Sequence, residues 1–475
     1  MIDKCSVQIP SESGHQLKNS ICMRVAVINL VGLSRSLLSE HMPGLRQFSE
    51  KHGLQSYRPA FPAVTCTAQS SMVTGKTPEE HGAVANGWYD REAAEVKFWK
   101  QSNHIVRGEK LWHKLRREVP GFTCAKLFWW YNMYADVDFS ITPRPLYPAD
   151  GRKVFDIHTQ PMDMREKLKA DLGAFPFPAF WGPAAGIASS EWIAASAKWV
   201  EEKHQPTLSL VYLPHLDYPL QKDGPKAANI PDELGKIDKV ATDLIHYYES
   251  RNVKVLVLSE YGISAVDQPI HLNRLFRKKG WIQVKDELGL ETLDCGTCRA
   301  FAVADHQVAH IYLNDPSIKE EVRQLLLSTP GVDEVRDPSD SWKPGPGMDR
   351  AGDLIAISKE NAWFTYYFWE DDAVAPDYAR TIDIHRKPGY DPCELFLDPA
   401  IKLPKLKIAK FLLKKKLGLR GLLDVIPLDA DLVKGSHGRD QVAVDEQPVL
   451  LGSATAVKTA EDVHQAILSA VLGGE

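Results

Sequence analysis

Three apolar runs constrain this chain more than any other feature: Val25-Ala-Val-Ile28, Leu208-Ser-Leu-Val-Tyr-Leu213 and Val253-Lys-Val-Leu-Val-Leu258. A continuous apolar run of this kind reads as a strand covered on both faces. Helical segments lie between and beside the runs. Ser34 to His41 reads as one, Pro43 to His52 as a second, opened by proline and stopped at Gly53, and Ile230 to Tyr248 as a third. Strand–helix alternation predicts an α/β fold: a mostly parallel central sheet with helices on both faces. Right-handed crossovers then put the strand C-termini on one edge, where open α/β sheets bind ligands. Asn29, Asp217 and Glu260 each stand just past a strand end, so this topology gathers residues far apart in sequence. The longer run Val25 to Leu33 is too short to span a bilayer and has no small-residue cleavage site close behind it.

The stretch from Arg58 to Gly75 carries the clearest chemical signal. Prolines at 59 and 62 hold the approach extended. A run of small residues follows, closed by Gly75 as a helix stop. Thr65 therefore falls at or near the N-terminus of a short helix, where free N–H groups and the positive dipole end suit an anion. A hydroxyl aimed at a bound phosphate is a candidate nucleophile. The same hydroxyl also fits a plain N-cap, the commoner role of Thr before a helix.

Charge and cysteine usage exclude some classes. The 475 residues carry a net charge of −5, which gives no bulk affinity for nucleic-acid polymers. The seven cysteines are odd in number and scattered, and Cys295-Gly-Thr-Cys298 has no second pair to complete a zinc knuckle. They read as reduced thiols in a cytoplasmic protein. Residues 1–21 read as a loose leader and 22–475 as one domain. A small βαβ insertion at about 300–345 is built from His310–Leu313, Ser317–Leu327 and Val332–Arg336, after which Asp353–Ile357 returns to the central sheet. The aromatic-dense Cys124–Tyr134 segment suits core packing beside a strand or a stacking platform. Segment 402–420 holds Lys at 402, 405, 407, 410, 414, 415 and 416 among Leu and Ile. It reads either as a basic amphipathic helix for a membrane surface or as a solvated face or protein contact.

The motifs Phe61-Pro, Val73-Thr-Gly75, His81-Gly, Asn86 and Gly435-Ser-His-Gly438, in this order, carry a resemblance. From residue 24 to about 445 the chain resembles the type I phosphodiesterase/nucleotide pyrophosphatase family of the alkaline phosphatase superfamily. The resemblance implies an alkaline-phosphatase-like three-layer sandwich with a small α+β insertion. It also implies hydrolysis of phosphodiester or pyrophosphate bonds in a small phosphorylated substrate, through a Thr nucleophile flanked by two metals. Thr65 takes the nucleophile's place and Asn86 that of the phosphate-binding Asn. The first metal position falls on Asp217, Gln221 and His437; the second falls on Asn29, Thr65, Glu260 and Tyr261. Gln221 and Tyr261 stand where the family has imidazoles, and Asn29 and Glu260 where it has Asp. Oxygen donors suit Mg²⁺, Mn²⁺ or Ca²⁺ better than zinc, so one or two harder divalent ions are expected. His215, the pair Asp305-His306, and Asp383 with His385 are further candidate ligands. Two alternatives accompany the hydrolase: an accessory or binding protein that kept the scaffold, and a related phosphonate hydrolase. The residues around Cys66 do not match the sulfatase nucleophile motif.

Overall fold

The computed structural model describes residues 22–474; the expected leader, 1–21, lies outside them. Among the described residues the central sheet has eight strands. Their order is Leu54–Ser56, Val449–Leu451, Lys254–Leu258, Val25–Leu30, Leu208–Leu213, Cys124–Leu127, Phe139–Pro143 and Ile157–Gln160. The stretch from Lys254–Leu258 across to Phe139–Pro143 is parallel, and both margins are antiparallel. Val25–Leu30 and Leu208–Leu213 are buried at every residue, as strands covered on both faces must be. Asn29 is the penultimate residue of its strand, paired with Tyr212 on one side and Leu258 on the other. The reading that set it past the strand end is therefore one residue pair short.

Two helix pairs cover the sheet. Ile187–His204 packs on Ile230–Glu249, and Asp462–Val471 packs on Thr65–Thr74. Pro43–His52 is a helix ending at Gly53, whose φ of +87° suits glycine. The expected Ser34–His41 helix is only a 3₁₀ turn, Arg35–Leu37. Its backbone is claimed from outside: Ser36 N donates to Asp445 O at 2.9 Å, and Ser34 bridges to Pro448. Long-range pairing outweighs a weak local propensity there.

The insertion is a four-stranded antiparallel sheet ordered Ala300–Asp305, Val308–Leu313, Leu354–Ser358, Val332–Arg336. Val308–Leu313 and Val332–Arg336 run parallel to each other around the Lys319–Ser328 helix, with Leu354–Ser358 inserted between them. The anticipated βαβ is thus a split one. Leu354–Ser358 completes this sheet and does not return to the central one, because its apolar side chains belong to a second core with Phe301, Ile311 and Tyr312. A buried run looks the same in either sheet. The first two strands turn at His306-Gln307, with His306 at φ +61°, and this tip reaches back to the central sheet's edge.

Candidate active site

Thr65 opens a helix whose every residue is buried and which stops at Gly75 in the left-handed region. The capping position is Val64, extended and without a capping side chain. Thr65 does not cap its own helix: its Oγ1 lies 2.9 Å from the Tyr261 hydroxyl. That phenol donates in turn to Asp217 Oδ1 at 3.3 Å. A phenol has one proton, so Thr65 donates to Tyr261 and the chain runs Thr65–Tyr261–Asp217. Asn86 sits alongside, its Oδ1 accepting from the first-turn amide of Cys66 at 2.9 Å. Asp305, from the end of the insertion's first strand, fixes Asn86 by accepting from its backbone N at 2.8 Å and its Nδ2 at 3.1 Å. The second N–H of that amide remains for another acceptor.

The two halves of the expected metal centre are built differently. Around Glu260, Asn29 Nδ2 and Gln69 Nε2 each donate to Oε1 at 2.6 Å. The Gln69 orientation is fixed from behind, since its Oε1 accepts from Trp130 N at 2.7 Å. The Tyr261 ring lies flat on His437, with centroids 3.7 Å apart and planes 9° apart, so its hydroxyl fills the space between Thr65 and Asp217. Burial holds that phenol well above the usual range, so it stays a donor. Burial also pushes the Glu260 carboxyl up to about 8, against the two amide bonds. Two amide N–H groups hold Glu260 Oε1 and a phenol stands where an imidazole would, while Glu260 Oε2 and Asn29 Oδ1 stay buried without a hydrogen-bond partner, so this half lacks nitrogen ligands and is the poorer fit to a cation.

Asp217 and Gln221 share one face of the Asp217–Lys222 helix. Gln221 Oε1 accepts from the Tyr390 hydroxyl at 2.7 Å, so its amide nitrogen faces Asp217. His437 arrives on the late Gly435–Gly438 loop. A side chain at Gly435 would collide with the Leu220 carbonyl, and Gly438 takes φ +129°, so both glycines are needed for this close approach. His437 Nδ1 donates to Ala63 O at 2.7 Å, which leaves Nε2 as a free lone pair, buried, without a hydrogen-bond partner, and 3.9 Å from Asp217 Oδ1. Burial drives the His437 imidazole down to about 3 and the Asp217 carboxyl up to about 7. A neutral imidazole oriented through a backbone carbonyl beside a carboxylate is the arrangement of a metal ligand pair. Asp217 and His437 are the two donors here that could hold a cation, though no group of three or more His, Cys, Asp or Glu side chains among the described residues is arranged to do so.

The remaining candidates separate clearly. His215 pairs with Glu233 at 2.9 Å rather than with Asp217. His385 lies 3.4 Å from the Phe98 carbonyl, outside the cluster. His306 joins it from the hairpin tip, its ring stacked 3.7 Å from Tyr390 and tilted by 35° at 3.6 Å from His437. Within Cys124–Tyr134, Trp129 is core, whereas Trp130 is half-buried and lies 4.8 Å from Trp99. Trp181, also half-buried, stands 5.8 Å from Tyr390, so tryptophans rim the approach to the site. Sequence reasoning missed Gln69 and Tyr390. Gln69 was findable, because it lies four residues after Thr65 on the same helical face. Tyr390 had no signal, because it comes from an irregular segment.

Solved structures of this architecture include murine ectonucleotide pyrophosphatase/phosphodiesterase 5, at 15% identity over 95% of each chain with a TM-score of 0.55. Another is phosphonoacetate hydrolase of Sinorhizobium meliloti, at 14% identity over 99% of this chain and 100% of that one, with a TM-score of 0.60. They define the class of fold, an alkaline-phosphatase-like α/β architecture. Within it, the chain belongs to the Type I phosphodiesterase / nucleotide pyrophosphatase family, which it matches over residues 25–391. Members of that family are phosphodiesterase or pyrophosphatase hydrolases that typically use divalent metals. An uncharacterized pyrophosphatase/phosphodiesterase of Schizosaccharomyces pombe is 26% identical over 263 residues, 53% of this chain. Ectonucleotide pyrophosphatase/phosphodiesterase 2 of Saccharomyces cerevisiae is 23% identical over 224 residues, 44% of this chain. These matches span 46% and 39% of the two relatives' lengths.

Proposed function

We propose that this chain hydrolyses phosphodiester or pyrophosphate bonds of a small phosphorylated substrate, with Thr65 as nucleophile. The observation that carries the reading is the Thr65 hydroxyl: it bonds away from its own helix, into the Tyr261–Asp217 chain, beside the clamped Asn86. Thr65 Oγ1 attacks phosphorus, and its proton is released through the Tyr261 hydroxyl that it bonds. The leaving group departs with its oxygen, and water then releases the phosphoryl group from Thr65. The free Asn86 N–H and the helix N-terminus stabilise the charge that develops on the equatorial oxygens. Asp217 and His437 would hold one divalent cation, whose chemistry is to neutralise phosphoryl charge and lower a hydroxyl's pKa; one carboxylate with one imidazole suits Mn²⁺ or Zn²⁺ as well as Mg²⁺ or Ca²⁺.

The test is hydrolysis of an aryl phosphodiester and of a dinucleotide pyrophosphate by wild type, Thr65→Ala and Thr65→Ser. Ala abolishes turnover with the fold intact, and Ser keeps a measurable part of it. Turnover unchanged in Thr65→Ala rules the reading out. One observation favours a second reading, an accessory protein that binds a phosphorylated ligand without turning it over. It is the closure of the Glu260 half by Asn29, Gln69 and Tyr261. Ligand binding without turnover in wild type selects that reading.

A further inference from the structure

The Pro404–Lys416 helix has no buried residue, although half its side chains are apolar. One face still touches the protein. Lys407, Ile408, Phe411 and Lys415 are half-buried, at the helical spacing of a single stripe. Lys407 Nζ reaches Asp424 at 2.9 Å, and Lys415 Nζ donates to the Lys153 carbonyl at 2.9 Å. The opposite face carries Leu406, Leu413 and Leu417, at i, i+7 and i+11, with exposures of 63%, 58% and 66%. Exposed lysines border this row on both sides: Lys410 and Lys414 on one, Lys405 and Lys416 on the other. From 402 to 420 there are eight basic side chains and no acidic one, in a chain whose net charge is −5.

The loop carrying Leu146, Tyr147 and Phe155 packs under the opposite, protein-facing stripe: Lys415 Nζ lies 5.7 Å from the Phe155 ring, which stacks on Phe177 at 4.6 Å, and Arg420 bonds the Asp150 carbonyl at 3.4 Å. The leucine row therefore stands alone on the outer face. Apolar side chains at this exposure gain nothing from water, and a bare basic face would not need them. Lysines alone suit any polyanion. Leucine side chains flanked by lysines suit an apolar layer beneath an anionic one.

We propose that the outer face of Pro404–Lys416, continued by Leu417, forms a docking surface for a bilayer containing anionic lipid. The leucine row enters the headgroup–acyl boundary and the flanking lysines sit among the headgroups. No helix among the described residues is long and apolar enough to cross a membrane, so the contact lies in the plane of the surface. The proposal is independent of the chemistry at Thr65.

The experiment is sedimentation of the full-length chain with vesicles, either of phosphatidylcholine alone or with phosphatidylserine added. The chain is expected to pellet with the mixed vesicles only, and to be released by high salt. Lys410→Gln lowers partitioning about fivefold, the contribution of one lysine near an anionic surface. The triple variant Leu406→Ser, Leu413→Ser, Leu417→Ser abolishes pelleting while its circular dichroism and melting stay those of wild type. Failure to bind mixed vesicles at low salt overturns the proposal, as does equal binding to neutral vesicles. Binding that the leucine variant leaves unchanged also overturns it. Tight binding to a duplex oligonucleotide, insensitive to the leucine variant, would assign the surface to nucleic acid instead.

Discussion

Glu260→Gln isolates the carboxyl that the structure holds most firmly without a cation. Its Oε1 accepts two amide bonds at 2.6 Å, and its Oε2 is buried with no hydrogen-bond partner. Burial raises the carboxyl from the usual 4.5 to about 8. Between those values the folded chain keeps a proton that the unfolded chain has lost. Stability is therefore complete below about pH 4.5 and falls as the pH rises through about 8. At 1.36 kcal/mol per pH unit the ceiling is about 5 kcal/mol, and relaxation around the buried charge lowers the expected loss to a few kcal/mol. Glutamine keeps the accepting oxygen and carries no charge at any pH. Its new N–H₂ falls where Oε2 has no partner, a pH-independent cost of about 1 kcal/mol. The variant should thus be slightly less stable than wild type at pH 5 and more stable at pH 9. Urea unfolding at both pH values, in the presence of a chelator, measures the difference. A gap that stays constant from pH 5 to 9 refutes the reasoning. Removing the chelator and adding Mn²⁺ supplies a second check, since stabilisation that depends on Glu260 would put a cation in the half read here as closed.

Two further outcomes follow from the same geometry. Lys387 is buried with both its partners, Asp391 and Glu394, at 2.7 Å each. Lys387→Met leaves two uncompensated carboxylates and should cost about 3–5 kcal/mol in urea unfolding, with a smaller loss at acid pH. Less than 1 kcal/mol would show that the carboxylates carry no charge when buried. Asp305→Ala releases Asn86 from both of its bonds and should lower kcat about 100-fold, the scale of a 1 Å misplacement, with KM less affected. An unchanged kcat would remove Asn86 from the chemistry.

The site residues on strand ends were legible because a buried strand announces itself as an unbroken apolar run, and right-handed crossovers then fix which edge its end reaches. Asp217 and Glu260 needed nothing more. Thr65 was legible as a helix start through its prolines and Gly75, but its side-chain partner was not, because hydrogen bonds across 196 residues leave no local pattern. Gln221 and Tyr261 were placed only through the family resemblance. What they do depends on Tyr390 and His437, whose segments lack periodicity. The Leu354–Ser358 strand went to the other sheet for a related reason: burial fixes that a run is covered, not by what.

Three carboxyls, Asp217, Glu260 and Asp305, lie buried in this site, and the ion pairs found for Asp217 and Asp305 among the described residues are with neutral histidines. Asn86 answers Asp305 with two N–H groups, and Asn29 with Gln69 answers Glu260 with two more. Only Asp217 is left with a phenol at 3.3 Å and a free imidazole lone pair beside it. Asn29 is then the residue that decides whether the Glu260 half needs a metal. Asn29→Asp sets a carboxylate oxygen at the place of an N–H₂ that lies 2.6 Å from Glu260 Oε1. Two carboxylates at that distance must share a proton or recruit a cation. The variant should be destabilised at neutral pH without metal, and its melting temperature should rise on adding Mn²⁺ by more than that of wild type. If the two proteins respond to Mn²⁺ alike, the amide at position 29 is not what closes this half of the site.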